Sequence, residues 1–285
     1  MEGEVNSMKH VKEKLMQFLF FLCACISIVS VILICLFLFV NGVPAIREIG
    51  IVNFLGGRQW KPLENLFGIL PMMVGSIYVT GGALFIGVPL GILCAVFMAN
   101  FCPKPVYKIV KPAVDLLAGI PSIVYGFFGM LVIVPAVRGI FGGSGRGILT
   151  ASVLLGIMVL PTIIGVTQTS LCAVPRSYYE GALALGATHE RSVFFALLPA
   201  AKSGILAGII LGVGRVLGET MAVMMIAGNQ TAMPQGITSG VRTMTANIAM
   251  EMAYASNLHK DALIATAAVL FLFILIINLC FTLME

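Results

Sequence analysis

Charged residues are scarce: only 10% of the 285 residues are Asp, Glu, Lys or Arg, against 59% that are hydrophobic, and the mean hydropathy is +1.06. A chain of this length cannot bury so much apolar surface in a water-soluble core, so a soluble globular domain is excluded and lipid is the solvent. Histidine is nearly missing. His10, His189 and His259 are too dispersed to form a metal cluster or an acid–base centre, which argues against a membrane enzyme. The seven cysteines (Cys23, Cys25, Cys35, Cys94, Cys102, Cys172 and Cys280) show no CxxC spacing and have no histidine neighbours that would make a metal site. They read as small side chains in or beside apolar runs. Also missing is GxxxxGK[ST], the loop that cradles nucleotide phosphates. Gly142 and Gly143 sit with Ser144 in a turn without the required lysine, so nucleotide hydrolysis by that route is excluded. The net charge of +5 comes from scattered basic residues, with no basic run interleaved with aromatics of the kind that binds nucleic acid.

What the chain has instead is length in its apolar runs. A spanning helix needs about 20 apolar residues, and runs of that order predict six: 18–42, 70–99, 110–137, 147–172, 199–227 and 261–284. The first follows Lys9, Lys12 and Lys14, as a signal peptide would, but its apolar run from Phe18 to Val40 is too long for a cleaved signal. It reads as a retained span. Lys104, Lys108 and Lys111 crowd the loop between the second and third spans, which holds no acidic residue. Short loops dense in lysine face the cytoplasm, which places both termini and the 174–199 segment there. The division expected is a cytoplasmic tail (1–17), a first span with an external segment (18–69), and a helical transmembrane body (70–285). Within the external segment, Trp60 with Arg58 and Lys61 suits a stretch at the membrane interface.

The 174–199 segment, VPRSYYEGALALGATHERSVFFALLP, holds more helix punctuation than a simple connection needs. Ser177 and Glu180 have capping-box spacing ahead of a helix from Tyr178 to Leu185. Gly186 is placed to end that helix in a left-handed conformation, and Thr188 to cap a second one running towards Pro199. Two short helices at a sharp angle form a knob that can seat in a cleft of a soluble subunit. The spacing of Glu180, Ala182, Gly186, Leu198 and Pro199 resembles the EAA loop of ABC importer permeases, with departures at Gly181 and Ala196. That resemblance implies a partner ATPase that grips the knob and consumes ATP, with no cofactor held by this chain.

In the fifth predicted span, GVGRVLGETMAV sets Arg215 and Glu219 one turn apart on one face, where they can pair. If lipid begins near Ile205, Arg215 lies about 15 Å along the axis, near the middle of a hydrocarbon layer about 30 Å thick. Charges there turn to the bundle interior or a water-filled path. A guanidinium can coordinate an oxyanion in transit while the carboxylate balances it between passages; the alternative is an ion pair that only fixes packing. Gly212, Gly214 and Gly218 leave room for a second helix or an ion. Lys111 and Asp115, also at i,i+4, read as an anchor at the membrane surface, while Thr167, Gln168 and Thr169 could line a pathway but, near the end of a span, more often bond to adjacent helices and are assigned to no site.

Longer segments narrow the cargo. FLGGRQWKP, FGILPMMVGSIYVT, IPSIVYGFFG, the Arg215 segment and TMTANIAMEMAYAS together resemble the PstC family of phosphate-importer permeases over nearly the whole chain. The resemblance implies an all-α polytopic fold of the type I ABC importer class, with six spans and a cytoplasmic coupling helix in a bacterial inner membrane. It implies a PstA-like sister permease, two PstB-like ATPases and an external PstS-like phosphate-binding protein. Arg215 and Glu219 then stand at the positions tied to phosphate passage. Permeases for sulfate or molybdate share the coupling loop and stay open as alternatives. A secondary transporter is a further alternative, although inverted repeats are not evident.

Overall fold

The structure is a computed structural model. It describes residues 13–280 and Leu283 with their side chains, and the far ends of the first and last helices as backbone alone. Lys9, His10 and Lys12 therefore lie outside the described side chains.

Helices dominate. α1 (Glu2–Ile49) stops at Gly50, whose φ of 88° leaves the helical region, and a short α2 (Ile51–Gly56) follows. A small antiparallel hairpin pairs Trp60 with Phe67 and Lys61 with Leu66. α3 (Leu70–Val96) opens with Pro71 in its first turn, where no intrahelical N–H is lost, and runs on as a wider turn to Phe101 before Pro103 stops it. Then come α4 (Lys104–Gly119), α5 (Ser122–Phe128), α6 (Val134–Phe141) and α7 (Ile148–Ala173). The chain continues as α8 (Arg176–Ala184), α9 (His189–Ser192), α10 (Leu198–Ala200) and α11 (Lys202–Leu217). It ends with α12 (Met221–Ile226), α13 (Met244–Glu251) and α14 (Asn257–Met284). Among the described residues five helices are long and apolar enough to cross a membrane, and six if the pair 189–200 and 202–217, bent by 69°, counts as one span.

Two of the expected spans are interrupted. The third begins at Ser122 and not near 110, because Pro121 drives Ile120 out of the helical region (ψ 126°) and cuts off α4 as a separate amphipathic helix. The fifth breaks over 218–220: α11 ends at Leu217, and α12 starts afresh at Met221.

α7 is the axis of the bundle. Among the described residues it is the most enclosed span, lying between α3 and α11. Both neighbours come close because they present glycine. A Cβ on Gly87 of α3 would lie 2.5 Å from one methyl of Val159, and a Cβ on Gly212 of α11 would lie 3.1 Å from the other. One valine thus fills two glycine notches, the small-residue packing that replaces the hydrophobic drive between helices in lipid. α1 packs along α14, with Gly42 against the Ala265 backbone and Phe39 edge-on to Phe271. Earlier in the described part of α1 the side chains are bare: Phe18, Phe20 and Phe21 are all more than 60% exposed, as a lipid-facing helix requires.

Contacts define two ends. At one, Asn100 after α3 meets His189 of α9; at the other, the Trp60 hairpin meets Glu251 of α13 and His259 of α14.

Candidate functional site

At the first end stands the helical knob. α8 begins two residues earlier than the capping-box spacing suggests, with Pro175 at its cap position. Ser177 therefore lies inside the first turn, and no side-chain cap bond forms. The carboxyl end matches expectation. Gly186 has φ 85°, its N–H bonds the Leu183 carbonyl (2.9 Å), and the Ala187 N–H reaches back to Ala182 (3.1 Å), the paired closure of a Schellman motif. Thr188 caps α9 by accepting from the Arg191 N–H (3.4 Å). Hydrogen bonds from its own backbone N–H and from Thr188 hold the Glu190 carboxyl below the usual carboxylate range.

Glu180, Gly186 and Pro199 are exposed and Ala182 is half-buried. Around them Leu185 is 91% exposed and Phe195 77%, an apolar surface that none of the described residues covers. One contact was not foreseen. His189 bonds the Tyr179 hydroxyl through Nδ1 (2.8 Å) and the Asn100 carbonyl through Nε2 (3.2 Å), with Phe101 edge-on at 4.8 Å. A carbonyl only accepts, so Nε2 carries the proton and Nδ1 accepts from tyrosine. The knob is thereby tied to the end of α3 as well as to α7 and α11, its neighbours in sequence.

Inside the bundle, Arg215 and Glu219 do not pair. Their i,i+4 geometry needs a continuous helix, and α11 has ended between them. Arg215 Nη1 donates to Thr162 Oγ1 on α7 (3.2 Å), its one hydrogen bond among the described residues, and has no carboxylate within ion-pair distance. Glu219 turns the other way: its Oε1 accepts from the Ala222 N–H (3.1 Å), capping α12, while its carbonyl accepts from Thr245 of α13 (2.9 Å). The three glycines differ. Gly212 packs on α7, a Cβ on Gly214 would meet nothing within 4 Å, and Gly218 lies at the break beside the Gly214 carbonyl. The result is a half-buried guanidinium with spare donors beside an open stretch of α11. Gln168 donates to the Tyr107 hydroxyl of α4 (2.9 Å), the expected bond to an adjacent helix, whereas Thr169 donates to the Gly165 carbonyl of its own helix (2.9 Å) and the buried Thr167 hydroxyl has no hydrogen-bond partner among the described residues.

The most connected polar group lies at the second end, and sequence reasoning passed over it. Glu251 is 6% exposed. It accepts from Arg242 Nη1 (2.6 Å) and Trp60 Nε1 (2.8 Å) and bonds His259 Nε2 (2.9 Å). Arg242 is further held by Asn247 and the Asn229 carbonyl. Trp60 is therefore buried as a donor, where the sequence suggested an interfacial ring. Nearby, burial and then the Glu251 charge push the Tyr254 hydroxyl up. Because α13 carries both Thr245 and Glu251, it links the break at Glu219 to the hairpin.

A polytopic helical bundle with small-residue packing, a broken inner helix and a glycine-ended knob is the fold of a type I ABC importer permease. A bacterial ABC transporter involved in the import of the acidic polysaccharide alginate shares it, with a TM-score of 0.62 at 17% identity over 93% of this chain and 94% of that one. Residues 87–285 match the family described as binding-protein-dependent transport system inner membrane component. The chain belongs to that family. The probable ABC transporter permease protein YqgH of Bacillus subtilis is 35% identical over 90% of this chain and 86% of its own length. The phosphate transport system permease protein PstC of Mesorhizobium japonicum is 34% identical over 82% and 78%. The chain is accordingly a permease subunit of the inner membrane, in a family whose members work with a binding protein.

Proposed function

We propose that this chain is the PstC-type subunit of an ATP-driven phosphate importer. The observation that carries the reading is Arg215: a half-buried cation at a helix break, without a carboxylate partner, in a chain 34% identical to a PstC permease. A carboxylate on the guanidinium would compete with a passing oxyanion. Glu219, spent on capping α12, leaves those donors to the cargo.

A PstA-like permease completes the path, two PstB-like subunits hydrolyse ATP, and a PstS-like protein delivers phosphate from outside. Glu180, Ala182, Gly186 and Pro199 form the surface that the ATPase grips. Both termini and the knob face the cytoplasm, with 1–17 as the tail, 18–69 as the first span and external segment, and 70–285 as the permease body. ATPase closure pushes the knob, and α11 turns about its bend at Ala201. The Gly218–Thr220 break then takes up the displacement, so Arg215 exchanges access between the two sides.

Reconstitution with the three partner types tests the cargo: ATP-dependent uptake of phosphate, with sulfate and molybdate left outside, is expected. Preferential uptake of either rival oxyanion overturns the assignment.

A further inference from the structure

α4 carries chemistry that the transport reading leaves unused. At 100° per residue its side chains fall on three faces. Tyr107, Val110 and Val114 pack against Ala95, Met98 and Ile164 of the bundle. A second face bears Val106, Ile109 and Leu116, which are 41%, 73% and 72% exposed and covered by none of the described residues. The third bears Lys104, Lys108, Lys111 and Asp115. Lys111 and Asp115 neutralise each other at 2.8 Å, whereas Lys104 and Lys108 are exposed and in no ion pair among the described residues. The helix thus has a protein side, an apolar side and a cationic side, one third of a turn apart. Such a helix lies in a membrane interface, its apolar stripe at the acyl boundary and its lysines at the headgroups.

We infer that α4 is a docking surface for anionic phospholipid, with Lys104 and Lys108 on the headgroup phosphates and Val106, Ile109 and Leu116 against the chains. Charge and apolar pattern select this occupant together: a soluble acidic protein would match the lysines and leave the adjoining stripe in water. The lysines are one helical turn apart, within reach of one headgroup or two neighbours. The bound lipid also sits near the knob, since α4 follows directly on the Asn100–Phe101 corner that holds His189, and Tyr107 bonds Gln168 at the end of α7. Its assignment to the cytoplasmic leaflet rests on the orientation proposed above. Lipid retention is read without transport, so the two readings fail separately.

The test uses the assembled importer in nanodiscs of phosphatidylcholine with or without phosphatidylglycerol, followed by native mass spectrometry of retained lipid. Each lysine near an anionic surface strengthens binding about five-fold at low salt, so the Lys104→Gln/Lys108→Gln double variant is expected to retain phosphatidylglycerol about 25-fold less well. The Lys104→Arg/Lys108→Arg variant keeps the charge and retains it, which separates charge loss from misfolding. Raised salt weakens retention in the wild type and not in the Gln variant. Equal retention by wild type and the Gln variant overturns the proposal, as does equal retention of phosphatidylcholine. Loss of the ATPase from the Gln variant with lipid retention intact assigns the face to protein docking and overturns it too.

Discussion

Replacing His189 with alanine removes the clip between the knob and the end of α3, and the size of the effect follows from the contacts. Two neutral hydrogen bonds, at 2.8 and 3.2 Å, contribute about 1 kcal/mol each. The edge-on ring contacts with Phe101 and Tyr179 contribute about 0.5 to 1.5 kcal/mol more. Because His189 is half-buried, water recovers part of this, and about 2 kcal/mol remains. That is about a 30-fold fall in the ratio of clipped to released knob. The α7 and α11 connections persist, so the importer assembles and hydrolyses ATP, but the push reaches α3 poorly. Proteoliposomes containing His189→Ala are expected to take up several-fold less phosphate per ATP consumed. Tyr179→Phe, which loses one bond, falls between the variant and wild type. In a double-mutant cycle the two residues couple by about 1 kcal/mol. An unchanged ratio of uptake to hydrolysis in His189→Ala, with the cycle additive, refutes the clip.

Arg215→Gln is expected to abolish phosphate uptake while the complex assembles at wild-type yield; normal uptake removes Arg215 from the path. Glu251→Ala leaves Arg242 buried without its counter-charge and is expected to cost about 3 to 5 kcal/mol, read as a lower melting temperature in detergent, with Glu251→Gln milder because its amide oxygen still accepts from Trp60. Gly212→Val drives two methyls into Val159 and Ile163, and a loss of about 1 to 3 kcal/mol is expected by the same measurement, whereas Gly214→Ala, facing open space, stays near wild type. The bonds to Glu190 favour its ionised form, so their contribution is complete above the usual carboxylate range and is lost as pH falls through the lowered pKa. Hydrogen exchange at the α9 amides should therefore accelerate at acid pH, and Glu190→Gln should abolish that pH dependence.

Elements governed by neighbours along the chain were legible beforehand. Apolar length announces the spans, and Gly186 and Thr188 punctuate the knob within a few residues of where they act. Pro121 was also a local signal: its restriction of Ile120 separates α4 from the third span, although apolar run length carried the expectation across it. The Arg215–Glu219 pairing failed for a different reason. Continuity of α11 was assumed, while the break is fixed from outside by Thr245, 26 residues on. Glu251 lay further out of reach, because its Trp60 donor is 191 residues away and no period or cap joins the two. Local punctuation foretold where helices stop, but the partners of buried charges depended on which loops fold back over them.

Val159 has a mechanical corollary. With one methyl in a notch of α3 and the other in a notch of α11, it works as a rivet through three helices, and a riveted stack rotates as a block sooner than it shears. Bending is thereby displaced to the two joints on either side of the riveted length of α11, the elbow at Ala201 and the gap after Leu217. A transporter built this way stores its compliance in a handful of backbone torsions and keeps its walls stiff.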